Sequence, residues 1–224
     1  NISSNYRIKN LCLAGGVALN CVANGKILKE KIFEKIWIQP AAGDAGGSLG
    51  AALAYWYHEL EKPRIEFKDQ MKGSYLGPKF ENDLIEVKLK SLKANYTKHN
   101  RNEIISITAK ELANEKIIGW FQGRMEFGPR ALGGRSILAD PRSEKMQKNL
   151  NLKIKYRESF RPFAPVTLQD KVGKYFDVPN KFSNNYMEKV IKVKSKFSSK
   201  LGAVTHFDNS ARVQTVYKDS PNRL

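Results

Sequence analysis

The sequence predicts an α/β fold made of two blocks joined near residues 62 to 74. Three observations carry this. An apolar strand, a glycine-rich loop and a helix follow one another twice within the first sixty residues. A stretch mixing Pro, Gly and charge, with no sustained period, comes next. Strand and helix signals then resume around a long loop punctuated by Arg, Gly and Pro. The 224 residues suit one large domain or two small ones, and a hydrophobic fraction of 41% is enough for a packed core. Disordered, collagen-like and low-complexity classes are excluded on these grounds.

The elements follow in order. "KNLCLAG" is a short apolar run ending in glycine and reads as a strand. "GGVALNCVANGKILKE" reads as a glycine turn opening a helix whose apolar face is Leu19, Val22, Ala23 and Ile27, with Gly25 weakening its interior. "FEKIWIQP" is a second strand closed by Pro40. "AAGDAGGSLGAALAYWYHEL" is a second glycine loop passing into a helix from about Ser48 to Glu61. The linker is placed at residues 63–74. Past it, "NEIISITAKELANEK" (Asn102 to Lys116) gives the strongest helical pattern, with Asn102 as its cap. "IIGWF" is a buried strand feeding the long polar loop "QGRMEFGPRALGGRSILADPR". "SEKMQKNLNLKIKYR" is helical with Ser143 as cap, "NYMEKVIKVKS" and "LGAVTHFD" are strands, and "SARVQTVYKDSPNRL" carries no closing element.

Composition narrows the function. The chain carries 39 Lys plus Arg against 22 Asp plus Glu, a formal charge of +17. That charge fits a solvated surface, a nucleic-acid footprint or a pocket for phosphate-bearing molecules. Lysines such as Lys88, Lys90, Lys93 and Lys98 are spread through polar stretches, as on a solvated surface. The two cysteines, Cys12 and Cys21, are too few for a disulfide framework and read as reduced core thiols. No apolar run is long enough to span a membrane, and no signal-peptide core opens the chain, so a cytoplasmic protein is expected. The absent initiator Met marks the chain as an expected piece of a longer protein.

Candidate chemistry lies in three places. Gly15 and Gly16, between strand and helix, let a backbone approach a ligand and offer helix N–H groups to an anion; a plain tight turn reads equally well. Neither glycine loop is a Walker A motif. Asp44, flanked by Gly43, Ala45, Gly46 and Gly47, suits a metal or a ribose hydroxyl on one reading and a helix cap on the other. The strongest feature is a run of arginines, Arg124, Arg130, Arg135, Arg142, Arg157 and Arg161, interleaved with Phe127, Leu132, Ile137, Leu138, Phe160 and Phe163. Guanidiniums suit phosphate and carboxylate, and so many apolar anchors favour a structured anion pocket over a solvated loop or a nucleic-acid surface. Glu126, Asp140 and Glu158 are positioned in sequence to hold these arginines. Lys153 and Lys155 extend the basic region. Ser136 suits donation to a phosphate oxygen and lacks the setting of a nucleophile. His206, beside Asp208, Ser210 and Arg212, reads as a base, a phosphate donor or a turn cluster.

The strings "LAGGVALNCVANGKI", "QPAAGDAGGSLGAAL", "GWFQGRMEFGPRALGGRSILADPR", "KYRESFRPFAP" and "THFDNSARVQTV" resemble the nodulation- and antibiotic-type O-carbamoyltransferases across nearly the whole chain. The resemblance implies the end of an actin-like ATPase (Kae1-like) domain over residues 1–62, followed by a YrdC/Sua5-like domain over 75–224 that is truncated at its end. The chain would then be an internal or C-terminal fragment. It implies an enzyme that forms carbamoyl-adenylate from carbamoyl phosphate and ATP and passes the carbamoyl group to a hydroxyl of a sugar-like or secondary-metabolite acceptor. Implied cofactors are ATP, Mg and a divalent transition metal such as Fe, held partly by Asp44. Gly15, Gly16 and Asn20 match the adenosine-side loop. Arg124, Arg130, Arg135, Ser136, Lys155, Arg157, Arg161 and Arg212 match the basic motifs of the carbamoyl-phosphate and nucleotide chamber. Arg130, Arg135, Arg161 and His206 are expected to be catalytic. Nucleic acid is the less favoured partner, no membrane is expected, and a homodimer is left open. A basic nucleic-acid-binding module and a folded inactive remnant are the competing readings.

Overall fold

The computed structural model describes residues 5–64, 70–179 and 182–220. Strand β1 (Asn10–Leu13) lies parallel to β2 (Lys35–Ile38), with Asn10 opposite Lys35 and Leu13 opposite Ile38. Parallel neighbours need a crossover, and helix α1 (Cys21–Glu30) supplies it. Asn20 starts that helix, its side chain accepting the Ala23 N–H at 3.1 Å, and Lys31 in the left-handed conformation ends it. Gly25 costs helix propensity, but a Cβ there would lie 2.8 Å from the Val190 carbonyl oxygen, so close packing requires it. Helix α2 (Asp44–Ala54) begins at Asp44 rather than Ser48 and runs into a π-helical turn over Tyr55–Glu59.

Helices α3 (Asn82–Ser91) and α4 (Arg101–Ala113) follow. The cap of α4 is Asn100, not the expected Asn102. Asn100 accepts the Glu103 N–H at 3.0 Å and Glu103 accepts the Asn100 N–H at 3.0 Å, a reciprocal capping box. Strand β3 (Ile118–Phe121) pairs antiparallel with β4 (Arg135–Leu138). The arginine-rich stretch between them is therefore the connection of a hairpin. Helix α5 (Met146–Leu150) continues into a π-helical turn over Asn151–Lys155. Strand β5 (Val166–Leu168) lies parallel to β9 (Gln214–Val216). Helix α6 (Val172–Tyr175) leads into β6 (Phe176–Asp177), which pairs with β7 (Ile191–Val193), and β7 pairs with β8 (Ser210–Ala211). Between them come α7 (Ser195–Ser198) and a 3-10 turn over Ser199–Val204, where "LGAVTHFD" was expected to be a strand.

The largest core gathers Val172, Phe176, Phe182, Ile191, Val193, Ala211 and Val213, and Leu28 of α1 packs against it. Asn24, buried on α1, donates to the carbonyls of Ala18 at 2.8 Å and Glu188 at 3.0 Å. The Val190 N–H donates to the Cys21 carbonyl at 3.1 Å. These contacts correct the expected fold class. An actin-like piece followed by a separate YrdC/Sua5-like domain would keep its apolar faces apart, whereas α1 here shares a core with β7 and β8, and the chain forms a single α/β domain. Of the expected linker, residues 65–69 lie outside the described residues.

Candidate anion-binding site

One carboxylate organises the hairpin connection. Glu126 Oε1 accepts the N–H groups of Leu132 at 2.6 Å, Gly134 at 2.7 Å and Arg135 at 3.4 Å. The buried Tyr75 hydroxyl donates to the Leu132 carbonyl at 2.7 Å, and Gln214 Nε2 reaches the same oxygen at 3.2 Å. Burial, and then the Glu126 charge, push the Tyr75 phenol up to about 12. Ser136 Oγ accepts the Gly133 N–H at 3.0 Å, and Gln122 Nε2 donates to the Gly133 carbonyl at 2.9 Å. The loop is thus a built object rather than a solvated tether.

The built loop leans on the glycine loops of the first block. Gly128 has φ +122°, and a Cβ there would come within 3.3 Å of the Ala41 Cβ. Arg130 Nη2 donates to the Leu19 carbonyl at 3.2 Å. Gly15, at φ +89°, and Gly16 open the turn that carries Leu19, and among the described residues beyond their own turn none has an atom within 4 Å of where a Cβ would stand on either. Asn20 spends its side-chain oxygen capping α1. Asp44 lies exposed in the first turn of α2, whose N-cap is Gly43.

The arginines divide. Arg124 Nη1 donates to the Gly77 carbonyl at 3.0 Å. Arg135 donates to the carbonyls of Gln122 at 2.8 Å, Gly134 at 2.7 Å and Gly123 at 3.3 Å, and its guanidinium lies 3.4 Å from the Phe121 ring centroid. Arg124 thus ties the connection to the segment before α3, and Arg135 ties down the hairpin backbone. Arg142 clasps Asp140 through two nitrogens, and Arg161 pairs with Glu158 at 2.8 Å on the surface. Lys155 is exposed at the end of its π-helical turn. Arg157 is held by Asn151 Oδ1 at 2.6 Å and lies 4.9 Å from the Phe163 centroid. Asn151 is fully buried and also donates to the carbonyls of Ser159 at 3.0 Å and Arg161 at 2.8 Å, so it shapes the whole turn.

Arg130 and Arg157 are the two arginines whose charges bear on Arg212. Arg212 sits between β8 and β9, mostly removed from solvent. Burial depresses its guanidinium below the ordinary value, with the charges of Arg130 and Arg157 adding to the depression and the Cys21 thiol opposing it. His206 joins the group. Burial first, and the Arg212 charge, lower its imidazole below the usual histidine value, against the pull of Asp208. Ser210 Oγ donates to Asp208 Oδ1 at 2.6 Å and stands 3.1 Å from His206 Nδ1. The serine has a single proton, which Asp208 takes, so His206 Nδ1–H donates to Ser210. In that tautomer Nε2 carries the lone pair, and Nε2 is buried with no hydrogen-bond partner among the described residues. Arg212, acted on by the charges of Arg130 and Arg157 and itself acting on His206, is a centre of positive charge that suits an anion.

The sequence pattern missed three residues. Cys21, read as a core thiol, is half-exposed and faces Arg212. Asn151 and Asn184 have no motif around them; buried Asn184 accepts the N–H groups of Glu188 at 3.0 Å and Lys189 at 3.2 Å and donates to the carbonyls of Lys189 at 2.8 Å and Val213 at 2.7 Å, work that only three-dimensional partners reveal.

Comparison with known proteins fixes the family. A family model described as the carbamoyltransferase C-terminus matches residues 109–224, and one described as the carbamoyltransferase N-terminus matches residues 1–53. The uncharacterized protein sll1178 of Synechocystis is 51% identical over 96% of this chain and 38% of its own length. Nodulation protein NolO of Bradyrhizobium diazoefficiens is 44% identical over 92% of this chain and 37% of its own length. Nodulation protein U of Rhizobium fredii is 34% identical over 96% of this chain and 34% of its own length. The chain spans under two fifths of the length of these relatives. The matched models are those of carbamoyltransferase, so the recognition of a Kae1-like plus YrdC/Sua5-like fragment is corrected. The ATP-binding and metal-binding character inferred through that recognition loses its support with it. Among the described residues no group of three or more His, Cys, Asp and Glu comes together.

Proposed function

The chain belongs to the carbamoyltransferase family, and on that premise we propose that it forms the part of a carbamoyl-transferring enzyme that holds the phosphate-bearing carbamoyl donor. The observation that carries this reading is the half-buried Arg212, on which the charges of Arg130 and Arg157 both bear and which in turn acts on His206. Mutually repelling guanidiniums are stabilised by a bound phosphate, and in a partly desolvated site each charge-assisted hydrogen bond is stronger than in water.

The donor is carbamoyl phosphate. Its phosphate lies among the three arginines, which neutralise both the ground-state charge and the charge developing on the leaving oxygen. In the transfer the acceptor hydroxyl oxygen bonds to the carbamoyl carbon, the bond from that carbon to the leaving oxygen breaks, and phosphate departs with the electron pair. The hydroxyl proton goes to His206 Nε2, which the Ser210 and Asp208 contacts hold in the accepting tautomer. In the finer form of the proposal, carbamoyl phosphate first loses inorganic phosphate to water, a carbamate oxygen then bonds to the α-phosphorus of ATP as pyrophosphate departs, and AMP replaces phosphate as the leaving group in the transfer to the hydroxyl, the same arginines neutralising the nucleotide phosphates. The acceptor is a hydroxyl of a sugar-like molecule or secondary metabolite.

The test is calorimetric titration with carbamoyl phosphate at fixed ionic strength, with sulfate as competitor. Arg130→Ala and Arg212→Ala are each expected to weaken binding tenfold or more, since a hydrogen bond to a charged group is worth about 1.5–3 kcal/mol. Equal affinity in the wild type and both variants would end the proposal.

A further inference from the structure

The contact between Arg212 and Cys21 is braced from both sides by one buried side chain. Asn184 has only 1% of its surface exposed. Its Oδ1 accepts the N–H groups of Glu188 and Lys189, and its Nδ2 donates to the carbonyls of Lys189 and Val213. A primary amide offers two protons and one oxygen with two lone pairs, so its whole capacity is spent on backbone and none is left for a ligand. One arm of the amide reaches the arginine. Arg212 and Val213 lie in the gap between β8 and β9, and the 2.7 Å bond to the Val213 carbonyl fixes the backbone next to Arg212. The other arm reaches the thiol. Asn184 grips Lys189 at both its N–H and its carbonyl, and the next residue, Val190, donates its N–H to the Cys21 carbonyl at 3.1 Å. Val190 also packs against Gly25, where a Cβ would lie 2.8 Å from its carbonyl oxygen, so the segment cannot slide along α1. The Cys21 side chain in turn partners Arg212.

Arg212 needs such bracing. Burial disfavours its charge, and the like charges of Arg130 and Arg157 add to that, so both effects favour a guanidinium that swings out toward water. A long side chain is kept in an unfavourable field only if the backbone that carries it and the group it rests on are both held. We infer that Asn184 is a positioning residue of the anion site, which keeps Arg212 against Cys21 and within electrostatic reach of His206 by fixing the backbone at Val213 and at Lys189–Val190 together. Misplacement of a binding group by about 1 Å is enough to cost large factors in affinity or rate, so an amide that touches no ligand can still set the strength of the site. That this placement serves a carbamoyl donor rests on the function proposed above; the placement itself does not.

The experiment reads His206, whose imidazole the Arg212 charge lowers, by NMR titration in the wild type, Arg212→Ala, Asn184→Ala and Thr215→Val. Arg212→Ala sets the full rise. Asn184→Ala is expected to give about half of that rise or more, and to weaken carbamoyl phosphate binding about tenfold, the scale of one hydrogen bond to a charged group. Thr215→Val is the control for mere loosening. Thr215 Oγ1 accepts the Asn184 backbone N–H at 2.8 Å and donates to Asn185 Oδ1 at 2.9 Å, so its loss weakens the same segment while the side-chain amide keeps its four bonds. His206 is expected not to move there. An unmoved His206 in Asn184→Ala, or an equal rise in Thr215→Val, would overturn the inference. If Asn184→Ala does not fold, Asn184→Ser takes its place under the same criteria. Hydrogen exchange on the wild type gives a second reading: the Asn184 side-chain N–H protons should exchange slowly, and exchange at the rate of an exposed amide would sink the idea. The two proposals stay separable. If Arg212→Ala weakens donor binding while Asn184→Ala moves neither His206 nor the affinity, only the positioning role falls. If Asn184→Ala moves His206 while Arg212→Ala leaves donor affinity unchanged, the positioning role stands and the proposed function falls.

Discussion

Glu188 should make the protein less stable as the solution becomes more alkaline, and replacing it should remove that dependence. Burial pushes its carboxyl from 4.5 up to about 7, with the neighbouring Lys189 charge pulling the other way. The folded state therefore binds more protons at this site than the unfolded chain between those two values, and stability falls as pH rises through that window. Below it the side chain is neutral in both states and the penalty is absent. Above it the fold holds an ionised carboxylate in a place that disfavours it. Each pH unit of displacement corresponds to about 1.36 kcal/mol, so the penalty reaches about 3 kcal/mol. The Lys189 ammonium, itself depressed by burial, is the charged group that lessens it. Glu188→Gln keeps the shape and removes the proton equilibrium. The assay is chemical denaturation of wild type and variant at several pH values from about 4.5 to 8. The stability difference between them should move in favour of the variant by about 3 kcal/mol across that range, whatever its sign at the acid end. Parallel stability curves would refute the reasoning, because they would mean that the carboxyl ionises as freely in the fold as in the unfolded chain.

Three further outcomes are expected. Glu126→Ala leaves the N–H groups of Leu132 and Gly134 without their acceptor and should destabilise the fold by about 1.5–3 kcal/mol. It should also bring the Tyr75 phenol down in an NMR titration, and an unmoved Tyr75 would show that burial alone sets it. Gly46→Ala places a Cβ 2.0 Å from the Ala41 carbonyl oxygen, so the start of α2 must shift, and a loss of about 1–3 kcal/mol is expected in thermal melts; an unchanged melt would sink the argument. His206 should titrate below 6.5, with its contribution to stability rising with pH from its folded value up to about 6.5 and flat above, because the unfolded chain binds the proton first. Arg212→Ala should raise that titration, and an unchanged or lower value would contradict the electrostatic contact between them.

Local signals were legible where a single residue pattern had a single structural answer. The apolar runs at β1, β2 and β3 are strands, and the glycine turn after β1 does open a crossover helix. The pattern failed where partners were distant. Strand β4 was hidden in the polar loop because Arg135 and Ser136 are strand residues only through their pairing with Phe121 and Trp120. Strands β8 and β9 were unread because two or three residues cannot show a period, and their pairing with β7 and β5 decides them. Helix α4 was legible, but its cap was not, since Asn100 and Asn102 stand equally well before an apolar run and only the reciprocal bond to Glu103 chooses. The two-block reading failed for the same reason. The contact of Leu28 with the core around Phe176 joins residues that no local window compares.

The arginine stretch looked uniform in sequence, and the fold sorts it by which acceptors lie near each guanidinium. A carbonyl-rich turn absorbs the donors of Arg135, a nearby carboxylate absorbs those of Arg142, and another absorbs those of Arg161. Such pairs are paid in local structure and have little left for a ligand. Arg130 donates to the Leu19 carbonyl and Arg157 to Asn151 Oδ1, both neutral acceptors, and both press their charge on Arg212. Neutral acceptors orient a guanidinium without cancelling its charge, so the field these side chains create remains for whatever enters between them. A carboxylate placed beside Arg212 would stabilise the empty fold better than the Cys21 thiol does, and it would also occupy the electrostatic role of the phosphate. The arrangement at Leu19, Asn151 and Cys21 therefore orients three cations mainly on neutral partners, with Glu158 the carboxylate that feels the Arg157 charge, and so favours an anion from solution.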